Sequence, residues 1–331
     1  MSFRMNIHWL AVIVAISVWG MTFASTRALL SDFSALEILA LRFGLAFAAL
    51  SLASLLRPRR LCAVSGAVPG GETLFAAMGF TGIFAYQLLE NCAIHYTNAG
   101  NVALLVSFCP ILTALLARAI SGDRHLTRRF AAGSLIAMSG VALVSWNGIA
   151  EFELRPAGDL MAMAAMVSWG MYSILLERAN ARGVSPVAAT RRAFGWSLLM
   201  MAPVLLAGAS GCWPGAMDGS LAVTLDAAAN ARRFSDSLNV MNIAFLGLLA
   251  SAACFSLWSS ACRALGMVKT TVFLYATPVV GVLFAAVCLG ERVTALELLG
   301  GAVILAGVAI ATRAPARFAR AACATGENML K

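Results

Sequence analysis

Tyr86, Gln87, Glu90 and Asn91 form a polar island in a stretch of the chain that is otherwise largely apolar. If that stretch is helical, Gln87, Glu90 and Asn91 fall at i, i+3 and i+4 and share one face. A carboxylate between two amides can bind an amine. It can also take up and release a proton while the amides hold a ligand by hydrogen bonds. Two readings of Glu90 stay open. A carboxylate inside a membrane-spanning helix is costly and marks a functional site, whereas one at the membrane edge only caps or extends to water. Arg42 is the other isolated charge, suited to a substrate carboxylate or to Glu90 as a counter-ion. Glu37, five residues earlier, and a place in the outer third of its segment favour instead a side chain that reaches the interface.

Aromatic residues supply a second kind of chemistry. Trp19, Trp169, Tyr172, Trp258 and Tyr275 all lie within apolar runs, where their rings can stack on a substrate or face a cation. Packing is the competing use, with Gly20 and Gly170 beside two of the tryptophans allowing close helix approach. We read the tryptophans as cavity lining and the glycines as packing. Ser256, Ser259 and Ser260 add a polar stripe next to Trp258. The expected substrate-binding set is therefore Trp19, Tyr86, Gln87, Glu90, Asn91, Trp169, Tyr172, Trp258 and Tyr275. Pro110 and Pro278 each delete a backbone hydrogen bond within an apolar run, and are expected to kink it and act as paired hinges.

Other chemistries find no support. The sequence has no P-loop, no GxGxxG, no HExxH and no paired DxxxD, and its only histidines, His8, His95 and His125, are far apart. None of the eight cysteines forms a CxxC pair. No catalytic residue, metal or cofactor is expected, and an integral membrane enzyme is the weaker class.

The elements that must position these residues follow from composition. Of 331 residues, 61% are hydrophobic and 12% charged, against about a quarter charged in an ordinary soluble domain. Apolar runs long enough to cross a hydrocarbon core recur along the chain. Ten are expected to be helical, at roughly 8–25, 36–56, 73–94, 99–119, 130–146, 159–176, 188–209, 243–262, 270–289 and 295–312. The net charge of +9 does not indicate nucleic acid, because the basic residues sit in short loops between the runs. With a cytoplasmic N-terminus, 18 of the 24 Lys and Arg residues fall inside and 5 outside, with Arg42 in the membrane. That split places both termini in the cytoplasm. Residues 1–24 resemble a signal peptide in outline, but the segment recurs later in the chain and so belongs to the fold.

The recurrence is systematic. Val18-Trp19-Gly20-Met21 returns as Ser168-Trp169-Gly170-Met171, and Phe43-Gly44 as Phe194-Gly195. Pro110 matches Pro278, Gly122-Asp123 matches Gly290-Glu291, and Ser139-Gly140-Val141-Ala142 matches Ala306-Gly307-Val308-Ala309. The offset grows from 150 to 168 residues, which one insertion at 211–239 explains. Each copy holds an odd number of helices, so the second must enter the membrane from the opposite side. Such inverted repeats underlie many secondary transporters, with the site at the repeat interface.

These features resemble a known family. The run His95-Tyr96-Thr97-Asn98-Ala99-Gly100, then Pro110, Gly122-Asp123 and Gly133 through Gly140, is similar to the EamA-type signature of the drug/metabolite transporter superfamily. The second copy is closer still, with Thr277-Pro278, Leu289-Gly290-Glu291-Arg292-Val293-Thr294, Gly300 and Ala306-Gly307-Val308. The sequence departs from the pattern at Gly122-Asp123-Arg124, where Glu-Arg is usual, and in the extended segment before the eighth run. The resemblance implies an all-α membrane protein of ten transmembrane helices in two inverted five-helix repeats, 1–147 and 158–313, followed by a cytoplasmic tail at 314–331. It implies a cell-membrane secondary transporter that exports small organic metabolites such as amino acids by alternating access. Its partners would be a small-molecule substrate and the lipid bilayer, with no nucleic acid and with no motif that sets an oligomeric state. A phosphorylated-sugar or nucleotide-sugar carrier is the alternative within transport. It would need several cations deep in the cavity, where only Arg42, Arg263 and Lys269 are near.

Overall fold

Backbone N–H and C=O groups facing lipid must be paired within their own segment, so the apolar runs fold as helices. The computed structural model describes residues 2–56, 71–97, 99–122, 126–145, 155–211, 221–288 and 293–312, and among them there is no strand. In chain order the helices are α1 (Ser2–Leu29), α2 (Ala35–Leu56), α3 (Gly71–Gly79, a π-helical stretch Phe80–Ala85, then Tyr86–Tyr96) and α4 (Ala99–Val106 and Cys109–Ser121). They continue as α5 (Arg128–Ser145), α6 (Pro156–Ala181), α7 (Pro186–Ala209) and a short α8 (Ala227–Ser235). The chain then forms α9 (Ser237–Ala244, a π-helical stretch Phe245–Ala253, then Cys254–Leu265) and α10 (Met267–Thr271, a 3-10 turn Val272–Ala276, then Thr277–Cys288), and ends in α11 (Ala295–Thr312). The basic loop at 57–60, Asn98, Asp123 to His125, the turn at 290–292 and the tail at 314–331 lie outside the described residues.

Among the described residues, eight helices are long and apolar enough to cross a membrane: α1, α2, α4, α6, α7, α9, α10 and α11. In each, half or less of the apolar window is buried inside the protein, so the remaining face is left for lipid. Leu55, Leu160, Leu199, Leu206 and Val287 are among the exposed side chains of those faces. The two other expected spans form helices of more polar composition. α3 carries Glu72, Gln87, Glu90 and Asn91, and α5 opens on Arg128-Arg129.

Short polar signals set the helix starts. Ser34 and Glu37 form a reciprocal capping box on α2, with Ser34 N–H donating to Glu37 Oε2 at 2.9 Å and Glu37 N–H to Ser34 Oγ at 3.1 Å. Thr294 and Glu297 repeat the device on α11. Thr127 accepts from Phe130 N–H at the start of α5, and Ser185 from Ala188 N–H at the start of α7. Between α9 and α10 the chain reverses at Gly266 alone, whose φ of +92° side chains rarely adopt.

Among the described residues the two larger of three apolar clusters organise the interior. The larger joins buried residues of α1, α2, α3, α6, α7 and α9; the second joins α4, α5, α10 and α11. Glycines set the closest approaches. A Cβ on Gly140 of α5 would lie 2.7 Å from the Gly300 carbonyl oxygen of α11, and one on Gly300 would lie 2.8 Å from that of Gly140. Gly133 and Gly307 meet in the same reciprocal way. Gly20 of α1 faces Thr277 and Val280 of α10, while Gly170 of α6 faces Thr113 and Leu116 of α4.

Both prolines sit beside an interruption of the regular α-helix. Pro110 lies in the first turn of Cys109–Ser121, just after the break at Ser107-Phe108. Pro278 is the second residue of Thr277–Cys288, just after the 3-10 turn. Each begins a fresh helical segment, where a missing N–H leaves no bond unmade. The extended segment before α9 also has structure of its own. Its helix α8 is tied to the α1–α2 turn by Arg233, which donates to Glu37 at 3.0 and 3.2 Å and to the Asp32 carbonyl at 2.8 Å.

Candidate functional site

α2 descends from the same side of the molecule to which α3 returns. Arg42 is seven residues in from the start of α2 and Glu90 six residues short of the end of α3, so at 1.5 Å per residue both sit roughly 10 Å from that side. Arg42 does not reach an interface, contrary to the favoured reading of the sequence. It is 8% exposed, its Nε donates to Ser251 Oγ of α9 at 2.6 Å, and its Cζ lies 5.4 Å from the centre of the Phe43 ring. α2 packs on the π-helical part of α9, which carries Ser251.

Glu90 is half-buried and accepts a 3.2 Å hydrogen bond from the Tyr86 hydroxyl one turn earlier on α3. Gln87 and Asn91 are half-buried on the same helix. Arg42 and Glu90 lie within electrostatic reach of one another, with Cys109 of α4 nearby, yet no ion pair within 4 Å joins them. The guanidinium thus has one neutral partner, a serine hydroxyl, and its terminal nitrogens have none among the described residues. For a cation so far from water this is an unusual state, because buried charges are normally paired.

The aromatic residues gather beside these charges. Trp19 meets Trp169 edge-on at 6.2 Å, Phe255 at 5.5 Å and Trp258 at 5.2 Å. Trp169 in turn meets Tyr86 at 5.0 Å and Tyr172 at 5.2 Å. The tryptophans of the two repeated Trp-Gly pairs therefore meet between α1 and α6, while their glycines face α10 and α4. Accessibility divides the set: Trp19 and Tyr86 are half-buried, whereas Trp169, Tyr172 and Trp258 are sealed in the packing. Tyr275 belongs to the second cluster, with α4, α5 and α11. The indole N–H groups of Trp169 and Trp258 and the Tyr275 hydroxyl are buried without a partner. Of the serine stripe, Ser256 donates to the Ala252 carbonyl of its own helix, and Ser259 is fully buried.

Two features went unseen in the sequence. The first is Ser251, which orients Arg42 from the other half of the chain. The second is the pair of π-helical stretches, in α3 and α9. A π-helical turn displaces carbonyls from the regular ladder and often marks a functional site. The Thr81 carbonyl in α3 accepts from Ser168 Oγ of α6 at 2.7 Å, and the Ala250 carbonyl in α9 accepts from Trp19 Nε1 of α1 at 2.9 Å. Gly82 in the first stretch lies flush against the Tyr172 ring, where no side chain would fit. The local sequences, Phe80-Thr81-Gly82 and Phe245-Leu246-Gly247, carry no signal that separates a π turn from an α turn.

Apolar helices with lipid-facing sides around an interior charged and aromatic cluster define a multi-pass α-helical membrane protein. The chain matches the EamA-like transporter family over residues 6–146 and again over 156–313, and it belongs to that family. Among curated relatives, it is 28% identical over 307 residues to a protein of Streptantibioticus cattleyicolor named "Probable terminal-alkyne amino-acid exporter", covering 92% of each chain. It is 25% identical over 303 residues to a Salmonella typhimurium protein named "Probable amino-acid metabolite efflux pump", covering 91% of this chain and 93% of that one. A solved crystal structure superposes with a TM-score of 0.67 at 21% identity, covering 92% of this chain and 95% of that one, and bears on the fold. Family and relatives are named for transport rather than for catalysis.

Proposed function

We propose that this protein is a secondary transporter of the cell membrane that exports small organic metabolites, amino acids foremost, by alternating access. The observation that carries the reading is the meeting of Arg42, Glu90 and Tyr86 with the paired Trp19 and Trp169, where helices of both halves of the chain converge. The names of the relatives support the substrate class and the direction.

In this reading ten helices span the bilayer as two inverted five-helix repeats, 1–147 and 158–313, with both termini and the 314–331 tail in the cytoplasm. Several matched features support it. α5 and α11 pack on each other through reciprocal glycines, α2 and α7 through the stacked Phe43 and Phe194 rings at 5.4 Å, and each copy has a π-helical stretch in its third helix. Gly20 and Gly170 each face the helical segment begun by the other copy's proline. The substrate contacts are Trp19, Tyr86, Gln87, Glu90 and Asn91, with Trp169, Tyr172, Trp258 and Tyr275 as the sealed side that opens in the alternate state. Pro110 and Pro278 mark the paired hinges. A phosphorylated-sugar carrier fits less well, because Arg263 and Lys269 are exposed and, among the described residues, Arg42 is the one basic residue at the site.

The test is transport by purified protein in proteoliposomes, screened across amino acids and related metabolites. Saturable counterflow of at least one amino acid is expected. Failure to move any metabolite in either direction overturns the reading.

A further inference from the structure

We propose that Arg42 is the carboxylate-recognition residue of this protein, and that Ser251 positions it. The ligand class is then a zwitterion, whose carboxylate meets Arg42 and whose ammonium meets Glu90. This deepens the transport reading above and rests on it for the site.

Three observations carry the assignment. First, Arg42 is more than nine-tenths buried and bonds one neutral group, the Ser251 hydroxyl, through Nε. That bond leaves both terminal nitrogens of the planar fork for a bidentate anion, the geometry in which a guanidinium holds a carboxylate. Second, the nearby protein carboxylate does not fill that place. Glu90 lies beyond ion-pair distance and is held on its own helix by Tyr86. Third, the two charges stand at equal depth on neighbouring helices, near enough to interact and too far apart to pair. A buried cation and a half-buried carboxylate held apart this way are left without an ionic partner, and a ligand bearing the complementary charges pairs with both at once. Phosphate needs more than one cationic side chain to offset its charge, so one guanidinium suits a singly charged carboxylate better.

Ser251 is a positioning residue. It belongs to the π-helical stretch of α9 and fixes the direction of the Arg42 fork from the opposite half of the chain.

Binding is measured on the full-length protein in detergent by isothermal titration. The probes are the twenty standard amino acids, their decarboxylated amines and their deaminated acids. The native protein should bind at least one amino acid more tightly than either of its truncated analogues. Arg42→Gln keeps a donor for Ser251 and removes a charge that burial disfavours, so the fold should persist. It should weaken the amino acid by about 30-fold or more while leaving the amine analogue within about threefold. Arg42→Lys should lose about tenfold, because an ammonium cannot make the fork, and Ser251→Ala should lose less than Arg42→Gln with the same ligand pattern. Glu90→Gln should show the reverse preference, losing the amine and sparing the deaminated acid. An equal loss for every ligand in Arg42→Gln assigns Arg42 a structural role and overturns the proposal. So does failure of every carboxylate-bearing probe to bind the native protein. A native protein that binds these ligands but moves none across proteoliposomes sinks the transport reading and leaves the Arg42 assignment standing.

Discussion

Consider the variant Glu90→Gln, whose amide oxygen still accepts the 3.2 Å hydrogen bond from Tyr86 while the site no longer gains or loses a proton. The hydrogen bond is kept, no ion pair is lost, and the volume is unchanged, so the cost in stability should be below about 1 kcal/mol. The functional cost is much larger if Glu90 is the proton carrier. One pH unit is worth about 1.4 kcal/mol per proton, so one-for-one exchange sustains a roughly tenfold substrate ratio for each unit of gradient. Proteoliposomes holding the native protein and a one-unit gradient should therefore approach tenfold accumulation. The Gln variant should equilibrate at a ratio near one, yet still exchange labelled for unlabelled substrate. Among the described residues, the titratable groups facing Glu90 are Tyr86 on its own helix, Arg42 on α2 and Cys109 on α4. Lower affinity with the pH dependence intact would leave Glu90 its amine-binding role and remove the proton-carrier role. Undiminished accumulation by the variant refutes both roles.

Other perturbations test the surrounding structure. Glu37→Ala strips Arg233 of its bidentate partner and the Thr224 N–H of its acceptor at a buried site. The segment around α8 should lose about 3 kcal/mol locally, seen as roughly hundredfold faster hydrogen exchange over 221–236. Gly140→Val must push α5 and α11 apart, since even a Cβ would stand 2.7 Å from the Gly300 oxygen, and should cost about 1–3 kcal/mol in thermal unfolding in detergent. Pro110→Ala and Pro278→Ala should insert normally and slow transport; native rates in both variants would reduce the prolines to helix starts. Reporters placed after residue 331 and within 57–71 should report cytoplasm, and one within 211–239 the outside. An outer location for 57–71 would overturn the inverted-repeat arrangement.

What the sequence determined by itself is what depends on local pattern. The apolar runs required helices, because lipid offers no partner to a free peptide group, and the described helices coincide with the expected runs to within a few residues at most ends. The largest departures, six residues each, are the starts of α1 and α9; at α9, Ser237 precedes the expected 243 because Asp236 caps an extra turn and a half. The site was half legible: i, i+3, i+4 spacing put Gln87, Glu90 and Asn91 on one face, and the repeated Trp-Gly pair pointed to Trp19 and Trp169.

Only tertiary structure decided the rest. Arg42 looked like an interfacial residue because Glu37 stood close before it, but Glu37 is taken by Arg233, 196 residues away, and Arg42 by Ser251, 209 residues away. No local window contains either partner. The same holds for which aromatics are sealed and which are reached, since Trp258 and Trp19 differ in exposure through the helices packed around them and not through their neighbours in sequence. The π-helical stretches are the extreme case. Side chains of α6 and α1 donate to carbonyls within these stretches, and those donors arrive only when the helices pack.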